Sequence, residues 1–122
     1  MLRLTALVLA AAALTACQRP SIGAPTSVPG ADADRGKQLI AAIGCGQCHQ
    51  VPGIPAANGM VGPPLAAFGR RTVIAGFFPN TPANLVHWIE APQRYLPGNA
   101  MPNMEINDHD ARDVAAYLYS LQ

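Results

Sequence analysis

The pentapeptide Cys45-Gly46-Gln47-Cys48-His49 constrains this chain more than any other stretch. Two thiols three positions apart, followed at once by an imidazole, have the spacing of a covalent haem c attachment site. In that chemistry each thiol adds to one vinyl group of a porphyrin, and the histidine becomes an axial ligand of the iron. A group bonded in this way does not dissociate, so a small domain holds it without a large pocket. The same cysteines have other uses. A redox dithiol belongs in a βαβ pattern, and no strand-rich run surrounds this one. A zinc site needs two further ligands nearby, whereas His87 and His109 stand alone and Cys17 lies far upstream. The motif favours one covalent haem.

The first 16 residues read as an export signal. Arg3 supplies a positive start, and Leu4 to Leu14 form an apolar run too short to span a bilayer, which takes about 20 residues. Leu14-Thr15-Ala16-Cys17 looks like a bacterial lipobox, in which the cysteine becomes the first mature residue and carries lipid. The alternative is an ordinary signal peptide with Cys17 incidental. The lipobox reading places the product on the periplasmic side of a bacterial membrane, anchored through Cys17, where several acyl chains hold firmly and one alone is marginal. Covalent haem attachment in bacteria also takes place outside the cytoplasmic membrane, so the two motifs agree. They divide the three cysteines into one for lipid and two for haem.

Residues 17–31 are rich in Pro, Ser, Gly and Ala without apolar periodicity, and are expected to be a flexible linker. Residues 32–122 then form one small domain, to which a bound haem lends apolar core. The formal net charge is +1, and the sequence holds no basic tract for nucleic acid and no acidic docking block. A first helix is expected from about Asp32 or Asp34, with an apolar stripe of Leu39, Ile40 and Ile43. Gly44 turns the chain into the cysteine motif. Residues 50 to 63 read as a loop. Thr81 caps a second helix that starts at Pro82 and turns Leu85, Val86, Trp88 and Ile89 inward. Pro92, Pro97 and Pro102 mark an irregular stretch. Asn107 and Asp110 open a last helix whose apolar face carries Val114, Ala115, Leu118 and Leu121. No run alternates as a strand does, so the fold class is all-α with long loops.

From Asp32 to the end the chain resembles a class I cytochrome c. The resemblance rests on five stretches in order: Arg35 to Leu39, Cys45 to His49, Val61-Gly62-Pro63-Pro64-Leu65, Leu85 to Pro92, and Pro97-Gly98-Asn99-Ala100-Met101 followed by Ala115 to Leu118. It implies N- and C-terminal helices crossing beside the haem, with Gly36 permitting their close approach. It implies that the Pro63 carbonyl receives the His49 ring N–H, fixing the tautomer. It also implies a methionine as the second axial ligand. Met60, Met101 and Met104 follow the haem motif. Met101 closes the Pro-Gly-x-x-Met pattern and is preferred; Met104, three positions on, is the rival, and Met60 is expected to be packing or exposed. Trp88 falls where an aromatic ring flanks the haem in relatives, ordinary core packing being the alternative; Tyr95 is a similar case. Arg70 or Arg71 could pair with a haem propionate, Arg70 being the one assigned, with a solvated surface side chain as the alternative. His87 and His109 are expected at the surface.

With both axial positions filled, such a protein is an electron carrier and not an enzyme, since catalysis at iron needs an exchangeable site. The implied partners are respiratory membrane complexes, such as a quinol-oxidising complex upstream and a terminal oxidase downstream. Two other readings stand: a haem-bearing subunit of an oxidase or dehydrogenase complex, and a gas-binding haem sensor with a labile sixth ligand.

Overall fold

A computed structural model describes residues 27–122. The expected leader, Cys17 and most of the expected linker lie outside the described residues. Helix α1 spans Ala33–Ile43. Asp32 precedes it, and its carboxylate accepts the Arg35 N–H at 3.0 Å. That bond satisfies one of the free amides at the helix start. Gly44 closes α1 in the left-handed conformation, φ 87°, which a side chain there would resist. Helix α2, Pro82–Glu90, is capped by the Thr81 hydroxyl and starts on proline, whose missing N–H costs nothing at that position. Helix α4, Asp108–Ser120, is capped by Asn107, which accepts the Asp110 N–H at 2.9 Å and donates to the Asp110 carboxylate at 3.0 Å.

α1 packs against α4, and α2 also packs on α4. The shared core holds Ile40 from α1, Leu85, Val86 and Ile89 from α2, and Ala111, Val114, Ala115, Leu118 and Tyr119 from α4. Gly36 marks the closest approach of α1 to α4: a methyl group built there would overlap the Asp113 backbone carbonyl. The expected crossing of terminal helices is present, and it depends on that missing side chain. A polar cluster around the buried Asp113 fastens the same junction. The Asp113 side chain accepts the Asp32 N–H at 2.7 Å and pairs with Arg35, which also pairs with Asp110. Burial opposes ionisation of Asp113, but the Asp32 amide and the Arg35 guanidinium outweigh it and hold its carboxyl below the usual range. The hydrogen bond from Arg35 does the same for Asp110.

Three features differ from the sequence reading. The last residues of the expected linker are part of the domain: Val28 is 5% exposed, and Pro29 O accepts the Arg112 guanidinium at 2.7 Å. Small residues and prolines hid one apolar anchor there. The stretch after α2 is not wholly irregular, because Pro92–Tyr95 forms a single turn, α3. An antiparallel hairpin also joins β1, Val73–Ile74, to β2, Phe78–Pro79. Its turn places Ala75 and Gly76 both at positive φ, the geometry that matches strand twist. With two residues per strand, alternation has no length in which to show. Asn80 ties this hairpin to α4: its side chain donates to Arg71 O at 2.8 Å and accepts the Tyr119 hydroxyl at 2.8 Å. Burial pushes the Tyr119 hydroxyl up to about 12.

Candidate functional site

The left-handed Gly44 sends the chain from α1 into a 3-10 turn, Cys45–Gln47. The Cys48 N–H donates to Cys45 O at 3.2 Å and the His49 N–H donates to the same oxygen at 3.0 Å. One tight turn therefore carries both thiols and the imidazole. The loop that follows is strapped back over it. Gly59 N donates to Gly46 O at 3.0 Å, Gly62 N to Cys48 O at 2.8 Å, and Leu65 N to Gln50 O at 2.8 Å. The Tyr117 hydroxyl anchors the outer part of this loop through Pro52 O at 2.7 Å.

The His49 ring is fixed from two directions. Its Nδ1 lies 2.8 Å from Pro63 O. A carbonyl oxygen only accepts, so Nδ1 carries the proton and Nε2 keeps its lone pair. Gly62 lies against the ring, and a methyl group at that position would overlap it. The result is an imidazole of set tautomer and set plane, with the lone pair of Nε2 free to bind a metal.

These residues line a cavity of about 680 Å³ in the middle of the domain. Cys45, Cys48 and His49 border it, as do Met101 and Met104. Ile40, Leu85, Ile89, Val114 and Leu118 supply much of its apolar wall, so the cavity opens into the hydrophobic core. Both thiols are half-buried and outside any disulfide. Burial pushes the Cys45 thiol up, a backbone hydrogen bond partly offsets this, and the neighbouring Cys48 adds to it. Among the described residues no group of three or more His, Cys, Asp or Glu side chains is placed to hold a metal ion by itself.

Other residues singled out in the sequence fall in different places. Trp88 is half-buried on the cavity wall and meets Phe78 edge to face, with ring centroids 5.7 Å apart. Tyr95 meets Phe78 from another side at 5.3 Å and stacks on His87 at the surface. His109 is 72% exposed at its side chain, and its Nδ1 is 2.9 Å from the Arg35 guanidinium. Met60 is 85% exposed and away from the cavity. Arg70 is exposed and off the cavity, whereas Arg71 lies on its wall. Arg71 sits over the Phe68 ring at 5.2 Å and donates to Pro64 O and Ala66 O. The two arginines are neighbours at the end of a 3-10 turn, Phe68–Arg70, where the backbone changes from helical to extended. Sequence order alone does not say which of them faces inward.

Sequence reasoning missed Gln93. From α3 its amide reaches the loop that carries Met101: Nε2 donates to Asn99 O at 2.8 Å and to Met101 O at 2.7 Å, and Oε1 accepts the Gly98 N–H at 2.9 Å. Asn99 contributes to the same loop, its Oδ1 accepting the Met101 N–H at 2.8 Å. A long polar residue between prolines was the available signal, and it is a weak one.

The comparisons agree with this geometry. Residues 33–122 match the family model described as cytochrome c. The chain belongs to the cytochrome c family, and membership implies a covalently bound haem c. Among curated relatives, the chain is similar to cytochrome c oxidase subunit 2 of Alkalihalophilus pseudofirmus, 38% identical over 91 residues, covering 74% of this chain and 26% of that protein. It is also similar to cytochrome c oxidase subunit 2 of Bacillus subtilis, 31% identical over 94 residues, with the same coverage. The chain thus spans about a quarter of the length of these relatives. The family and the relatives together support a haem electron-transfer protein.

Proposed function

We propose that this protein carries single electrons on one haem c between respiratory membrane complexes, taking them from a quinol-oxidising complex and passing them to a terminal oxidase. The observation that carries the reading is a single apolar cavity bordered by Cys45, Cys48, His49 and a methionine-bearing loop. Two half-buried thiols on one turn provide the attachment points. The bound haem supplies reversible one-electron oxidation and reduction of its iron. His49 would hold the haem iron through Nε2, because Pro63 O holds the proton on Nδ1. Met101 would hold the iron from its loop, where its own backbone is fixed on both sides by hydrogen bonds. Trp88 closes part of the wall, and Arg71, in place of Arg70, is the cation on the cavity wall for a propionate.

Cys17 carries lipid, and the chain works on the periplasmic side of a bacterial membrane. A tether raises the local concentration of the domain near membrane complexes. No helix among the described residues is long and apolar enough to cross a membrane. A second reading makes the domain a fixed subunit of a terminal oxidase. The similarity to two oxidase subunits favours that reading. Membranes that contain the protein separate the two. A free carrier, extracted in mild detergent, runs as a small species and restores oxygen uptake when added back to depleted membranes. A fixed subunit co-migrates with the oxidase through sizing. Failure of the reduced protein to be re-oxidised by such membranes contradicts both.

A further inference from the structure

The loop from Leu96 to Asn103 has almost no regular backbone bonding of its own. Side-chain amides hold it. Gln93 offers one acceptor and two donors, and it meets one loop N–H, at Gly98, and two loop carbonyls, at Asn99 and Met101. Its backbone N–H also donates to Asn103 Oδ1 at 3.2 Å, so the residue grips the loop before and after Met101. Met104 is tied elsewhere, its N–H donating to Glu90 O at 3.1 Å.

We propose that Gln93 is a positioning residue for the sixth iron ligand: its side-chain amide holds the Met101 backbone in place, and so sets how firmly that position is closed. The proposal rests on the assignment of Met101 as axial ligand. Three of the loop's polar groups find their partner on one side chain that is anchored in the α3 turn. Without that amide they turn to water, and the loop gains conformers in which the Met101 sulfur is out of reach. Gln93 itself does not border the cavity, so it acts through Met101 and not on the haem.

The test uses the full haem-loaded protein and two spectroscopic readings. One is the red-edge ferric absorbance band that reports iron–sulfur ligation. The other is the rate of carbon monoxide binding to the ferrous form. Gln93→Leu should keep its haem and helix content. It should lose the band at a pH about one unit lower than the native protein and bind carbon monoxide roughly tenfold faster, the scale of losing such hydrogen bonds. Gln93→Glu keeps the acceptor for Gly98 but, when ionised, has no donor. It should resemble Gln93→Leu at neutral pH and recover the band on acidification, as the protonated carboxyl regains one donor. A purely structural role does not give that recovery, and this variant carries the test if the leucine variant fails to accumulate. A native midpoint and a native carbon monoxide rate in both variants overturn the proposal. Met101→Ala keeps the two failures apart: loss of the band there upholds the ligand assignment while Gln93 fails, and retention of the band overturns the assignment itself.

Discussion

The α1–α4 junction and the Met101 loop are held by different kinds of force. The junction is two regular helices in contact at Gly36, sealed by buried apolar side chains and the Asp32, Arg35 and Asp113 cluster. The loop has no regular structure and depends on the amides of Gln93 and Asn99. Damage to the junction is therefore global and shows as lost stability. Damage to the loop is local and should show at Met101, the proposed iron ligand, while the fold persists. One domain thus combines a helix-packed support with a loop held by side-chain amides.

The largest expected effect is at the junction. Gly36→Val forces branched carbons into the Asp113 carbonyl, which belongs to backbone and has little room to move. Equilibrium unfolding in denaturant should show a loss of about 3 kcal/mol or more. Asp113→Ala comes next, because it strips a buried partner from the Asp32 amide and from Arg35. A loss of about 2 kcal/mol is expected from the same measurement, reduced by the partial exposure of Arg35. The acid limb should change with it. The folded-state pKa of Asp113 lies below its ordinary value of 3.8, so the folded protein binds fewer protons than the unfolded chain in acid. The stability this group contributes is complete above that value and fades as pH falls through the depressed folded value. Asp113→Asn should flatten that part of the stability–pH curve; a curve as steep as the native one argues against the cluster.

At the loop the effects are smaller and of another kind. Asn99→Ala removes the acceptor for the Met101 N–H and should cost about 1 kcal/mol of local order. It should appear as a weaker red-edge band with little change in the unfolding midpoint. Loss of global stability with the band intact would remove the distinction between the two regions. Met60→Ala is the smallest, within about 0.5 kcal/mol and with no spectral change, because Met60 is exposed and off the cavity.

What the sequence disclosed follows the same division. The Asp32, Thr81 and Asn107 caps and the Cys45 to His49 turn are local in the chain, and each is written in neighbouring residues. The Gly36 contact was available through family resemblance. The Arg35 to Asp113 pairing joins residues 78 positions apart, and no periodicity points to it. Which of Arg70 and Arg71 faces the cavity depends on how a short turn ends. The role of Gln93 depends on α3, a single helical turn too short to leave an apolar pattern. Val28 was concealed because one buried valine among prolines and small residues looks like linker. Local chemistry was readable; the partners brought together by folding were not.

The central claim is one haem fixed to Cys45 and Cys48. The intact mass of the coloured protein, measured before and after extraction with acidified acetone, tests it most directly. The account predicts that the colour stays with the polypeptide and that the mass exceeds the bare chain by one haem. It also predicts that a Cys45→Ser, Cys48→Ser double variant loses both the colour and the added mass. Colour released into the acetone, with the polypeptide left at its bare mass, would contradict it.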